Sequence, residues 1–64
     1  MEGRVTTFDA QRGLGSIRGQ DADFPFHCTA LLDGTREVAV GATVAFAVRP
    51  AGQGRWEATQ IAKL

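Results

Sequence analysis

Among the side chains able to do chemistry, His27 and Cys28 stand next to each other. Six of the seven cations are arginines: Arg4, Arg12, Arg18, Arg36, Arg49 and Arg55. An imidazole beside a thiol is raw material for nucleophilic catalysis or for a metal site, but neither can be assembled here. One histidine and one cysteine do not make a metal-ligand set. No paired carboxylates, nucleophile–base pair or phosphate-cradling glycine loop is present, and nothing beside Cys28 would activate it as a redox nucleophile. The expectation is a chain that is not an enzyme and holds no metal or cofactor. The arginines point to other work, because a guanidinium forks onto phosphates and lies flat on bases. Seven acidic residues balance the seven basic ones, for a net charge of zero. Strong non-specific attraction to a polyanion is therefore not expected, and binding must rest on local charge placement or on stacking.

The elements that must position these groups are short. Sixty-four residues make one small domain, and a hydrophobic content of 44% is that of a packed chain. No apolar run approaches the ~18 residues of a membrane span, and MEGRVTTF lacks the apolar core of a signal peptide. With a single cysteine no internal disulfide forms, so a cytoplasmic chain held by packing alone is expected, and its balanced charge and small size make a monomer the expectation.

No stretch shows a capped amphipathic helical period, and eight glycines and two prolines cut the chain into pieces. Residues 3–8 (GRVTTF) read as a first strand, rich in β-branched and aromatic types. After a polar turn, residues 14–18 (LGSIR) form a second. Residues 23–28 (DFPFHC) form a third, with Phe24, Phe26 and Cys28 on one face and Pro25 and His27 on the other. Proline has no amide to donate, which marks an edge or an interrupted ladder. Thr29 to Ala42 is a longer connection with a helical turn at Thr29–Leu32 closed by Asp33-Gly34. Residues 43–49 (TVAFAVR) alternate most clearly, with Val44, Phe46 and Val48 facing in. PAGQG reads as a flexible turn before a last strand at 55–63. Five short strands suggest a small barrel, which removes exposed edges; strand counting alone fits both the oligonucleotide-binding and the SH3-like types.

Motif order distinguishes them. Gly3-Arg4-Val5-Thr6-Thr7-Phe8-Asp9 is followed by Arg12-Gly13-Leu14-Gly15-Ser16-Ile17 and by Asp23-Phe24-Pro25-Phe26-His27-Cys28-Thr29-Ala30-Leu31. Then come Gly41, the alternating strand Thr43–Arg49, and a closing Ala62-Lys63-Leu64. In this order and spacing the chain resembles the cold-shock domain family from end to end. The resemblance implies an all-β fold over residues 1–64: a small five-stranded antiparallel Greek-key barrel of the oligonucleotide/oligosaccharide-binding (OB) type. It also implies binding of single-stranded RNA or DNA on a platform of outward aromatic rings, each stacked base worth ~1–3 kcal/mol.

Carried over position by position, most of those rings are missing. Thr7 stands for the family's tryptophan. Leu14, Ser16, Pro25 and Cys28 stand for phenylalanines, and Thr35 for a loop aromatic. His27, Phe8 and the cation slot at Arg12 are retained. The candidate nucleic-acid-binding residues are thus Phe8, Arg12, Leu14, Ser16, Pro25, His27, Cys28, Arg36 and Trp56. Phe8 could equally belong to the core. Cys28 is pulled two ways, since alternation buries it while the family frame puts it at the platform margin. Trp56 is read either as a plug on the barrel end or as a relocated aromatic contact. Five or six absent rings at ~1–3 kcal/mol each would remove most of an ordinary affinity, so weak binding is expected. The alternative is the same barrel serving as a protein-interaction module, with Leu14, Pro25, Cys28 and Trp56 as its contact face.

Overall fold

The computed structural model describes residues 1–64 and contains five antiparallel strands: β1 (Glu2–Asp9), β2 (Leu14–Arg18), β3 (Asp23–His27), β4 (Thr43–Gly52) and β5 (Arg55–Lys63). Their order in the sheet is β3-β2-β1-β4-β5. A single 3₁₀ turn, Cys28–Ala30, follows β3, one residue earlier than the helical turn expected from Thr29. The edge strands β3 and β5 pack against each other without a hydrogen-bonded ladder between them. A parallel bridge from Leu31 to Ile61 ties the segment after β3 to β5.

Alternation along each strand sorts the residues into an interior and an exterior. Val5, Ile17, Phe26, Leu31, Val38, Val44, Phe46, Ala58 and Ile61 form one buried cluster, with Phe8, Phe24, Ala30, Ala42 and Val48 packed against it. All four phenylalanines pair with one another across this interior. Phe8 stacks on Phe26 with ring centroids 6.0 Å apart and planes 7° from parallel. Phe24 tilts against Phe46 at 5.7 Å, within the range where aromatic pairs add stability beyond their buried area.

Three register shifts interrupt this pattern, one of them at Ala51 near the tip of the β4–β5 hairpin. In β1, Val5 pairs with Ile17 and Thr7 with Ser16, so Thr6 is an extra residue and alternation reverses after it. That reversal turns Phe8 inward. In β5, Ala62 pairs with Ala45 and Thr59 with Ala47. The extra residue there accompanies the left-handed Gln60 (φ 50), beside the fully buried Ile61.

The β4–β5 hairpin corrects the reading of PAGQG as a flexible turn. Pro50 pairs with Trp56 and Gly52 with Arg55, so the strands run nearly to the tip. Only Gln53 and Gly54 remain between them, at φ 55 and 72, the left-handed pair that a two-residue hairpin turn requires.

Candidate nucleic-acid interface

The register of the first three strands builds the candidate surface. Thr7 pairs with Ser16 and Ser16 with Pro25, which sets Thr7–Ser16–Pro25 in one row across β1, β2 and β3. Asp9 pairs with Leu14 and Leu14 with His27, giving a second row on the same outer face. Arg4, Arg18 and Asp23 make the third row, with Arg18 bound to Asp23 at 3.4 Å. Residues of opposite parity, Phe8–Gly15–Phe26 and Val5–Ile17–Phe24, form the inner rows.

Gly15 is required by the inner stack. A Cβ there would lie 2.6 Å from Phe26 Cζ and 2.6 Å from the Thr7 carbonyl oxygen. Gly13 has a different reason. Its φ of +67 and the approach of Cys28 Sγ, 2.7 Å from where its Cβ would be, exclude a side chain. The Cys28 amide donates to the Gly13 carbonyl at 2.8 Å, and this contact holds the β1–β2 turn against the end of β3. In that turn Asp9 Oδ1 accepts from the Gln11 and Arg12 amides at 3.0 and 3.2 Å. The Arg12 side chain is thereby set at the edge of the outer face, exposed and without an ion-pair partner.

His27 ends β3 and caps the 3₁₀ turn. Its Nδ1 accepts from the Thr29 amide at 3.2 Å and lies 2.9 Å from Thr29 Oγ1. Nδ1 is thus committed as an acceptor. In the neutral ring the proton sits on Nε2, on the side of the ring near Gly13, leaving a donor for a base or phosphate oxygen.

Several expected site residues meet on this face and others do not. Leu14, Ser16, Pro25 and His27 share the two central rows, and Arg12 stands at their border. Cys28 is corrected to the interior, with 8% of its surface exposed. It begins the 3₁₀ turn rather than continuing β3, and packs over Gly13. Phe8 also falls on the inner side. It is half-buried against Phe26 and borders a cleft of about 680 Å³ that includes Val38, Ala42 and Leu64 and none of the outer rows. Arg36 lies in the 31–42 connection with φ 60 and has no bond to the platform strands. Thr35, the loop position of a family aromatic, is instead held by Asp33 and Lys63. Lys63 Nζ reaches Asp33 Oδ2 at 2.7 Å. This bond, with those from Thr35, lowers the Asp33 pKa to about 2.

Trp56 is 53% exposed. By alternation it falls on the same side as the buried Ala58, but the β4–β5 ribbon has there run past the barrel end. Trp56 lines a cleft with Ala22, Asp23, Phe24, Pro25 and Arg55, so it neighbours the row Thr7–Ser16–Pro25 at Pro25. Its proximity to β3 was not readable from the sequence.

Charge on the outer face is close to balanced. Arg18 is matched by Asp23, and Asp9 stands against Arg4 and Arg12, which leaves three cations to two carboxylates. No cation cluster occupies the two central rows, and their one ring is the imidazole of His27.

An antiparallel three-stranded face with a glycine-spaced central strand, backed by a two-stranded ribbon, defines a small barrel of the OB type. The chain belongs to the cold-shock family: the model of the 'Cold-shock' DNA-binding domain matches residues 1–64. Among solved structures it is similar to Drosophila Unr CSD456, with a TM-score of 0.80 and 29% identity over 98% of this chain. It spans about a quarter of that structure's length, 26%. No curated protein matches it at the level of sequence. No helix is long and apolar enough to cross a membrane.

Proposed function

We propose that this cold-shock domain binds single-stranded RNA or DNA across the outer rows Asp9–Leu14–His27 and Thr7–Ser16–Pro25, with micromolar or weaker affinity. The observation that carries the reading is the register. It aligns Leu14, Ser16, Pro25 and His27 on one open face, at the positions where the family's pattern has its contacts. Weak affinity follows from the residue types. Stacked bases contribute ~1–3 kcal/mol each, and Thr7, Leu14, Ser16 and Pro25 offer no π-face. His27 contributes a ring and an Nε2 donor, and Arg12 is placed to meet a phosphate.

A second reading, a protein-interaction module, is favoured by one feature. Leu14, 47% exposed, and Pro25 give the centre of the face an apolar character suited to a protein contact. Amide chemical shifts during titration with short pyrimidine-rich oligonucleotides separate the two. Nucleic-acid binding predicts shifts concentrated on residues 12–17 and 24–28. Silence there at millimolar oligonucleotide contradicts it and leaves the protein-interaction reading.

A further inference from the structure

Among the four phenylalanines and the one tryptophan, one ring has an open face. Phe8 pairs with Phe26 and Phe24 with Phe46 inside the barrel, whereas Trp56 has no aromatic partner and is half exposed. The cleft it lines is about 320 Å³, at the lower end of the ~300–1,000 Å³ of small-ligand pockets. Pro25 belongs both to that cleft and to the row Thr7–Ser16–Pro25, so the cleft adjoins the outer face at Pro25. Arg55, beside the indole in the same cleft, has no ion-pair partner. The one carboxylate lining it, Asp23, is already matched by Arg18.

We infer that the cleft between Trp56, Arg55 and Pro25 is a stacking subsite for one nucleobase of a single-stranded RNA or DNA, with Arg55 taking the adjoining phosphate. The inference rests on the proposed binding face and adds its far end. A strand crossing from His27 and Leu14 over Ser16 to Pro25 arrives at the indole. There it finds the π-face that the row Thr7–Ser16–Pro25 lacks. Tryptophan and arginine together suit this task, since stacking on a ring tolerates any base and a guanidinium meets a phosphate with two donors.

The test uses fluorescein-labelled oligothymidine and the intact chain, with anisotropy reporting binding and Trp56 emission reporting the subsite. Anisotropy titration should show Trp56→Ala weakening binding roughly five- to 150-fold and Trp56→Phe keeping most of the affinity. Arg55→Gln should lower the slope of log affinity against log salt by about one ion. With unlabelled strand, Trp56 emission should be quenched in parallel with saturation. Binding by anisotropy with unchanged affinity in Trp56→Ala and no quench overturns the subsite but leaves the platform standing. That result would assign the ring to a protein partner or to covering the barrel end. No binding by either readout overturns both. Should Trp56→Ala fail to fold, the quench in the unaltered chain decides: a quench that saturates with binding supports the subsite, and its absence overturns it.

Discussion

The two faces of β1–β3 are made by alternate residues of the same fifteen or so positions, yet they have opposite characters. The inner face is built from rings: Phe26 under 2% or so exposed, Phe8 stacked on it, and Gly15 left bare to make room for both. The outer face has none apart from the imidazole of His27. A barrel of this size stands or falls on its interior, because a 64-residue chain has only a few kcal/mol of net stability, about 0.05–0.15 kcal/mol per residue. The outer face is free of that demand. Stability and binding are therefore separable in this molecule, and substitutions on each side should move one and spare the other.

The largest effect belongs to the inner face. Phe26→Ala removes a fully buried ring and the partner of Phe8, at a cost of about 3–5 kcal/mol. That is most of the stability available, and urea unfolding should show a chain largely unfolded before denaturant is added. A midpoint close to that of the unaltered protein would break the contrast.

On the outer face the effect should appear in affinity instead. Ser16→Phe and Pro25→Phe place rings in the central row, each adding ~1–3 kcal/mol of stacking, while unfolding midpoints move little. Anisotropy with oligothymidine should tighten by roughly tenfold or more for the pair. Unchanged affinity would mean that the strand does not cross this row.

The smallest effect lies away from both faces. Asp33, held by Lys63 and Thr35, has its pKa lowered to about 2. A carboxylate with a depressed folded-state value contributes stability that is fully present above its unfolded value, about 4. That contribution is lost as the pH falls toward 2. Asp33→Asn should lower the neutral urea midpoint slightly and flatten this part of the acid limb, so that variant and unaltered chain converge as the pH approaches 2. A limb of the same steepness in the variant would remove the Lys63 clamp from the acid response.

Much of the fold was legible because alternation and glycine placement carry it. Val44, Phe46 and Val48 point inward as their spacing predicts, and the order of Gly13, Gly15, Asp23 and His27 fixed the frame of the face. What the sequence concealed lies at bulges and at the ends of strands. The extra Thr6 reverses the parity of β1, which moves Phe8 from an even choice to the interior. Cys28 follows alternation only in being buried, since it has already left β3 for the 3₁₀ turn. Gly-rich PAGQG hid a ribbon that stays paired to Gly52, and with it the approach of Trp56 to Pro25. Periodicity reports which way a side chain points within a strand, not where that strand outruns its neighbours.

The dissociation constant of the intact chain for a short pyrimidine-rich single strand at physiological salt tests the contrast most directly. An outer face with the cold-shock frame and almost no rings predicts a micromolar or weaker value. A nanomolar value would contradict it, and would mean that Leu14, Ser16, Pro25 and His27 hold bases as firmly as rings do.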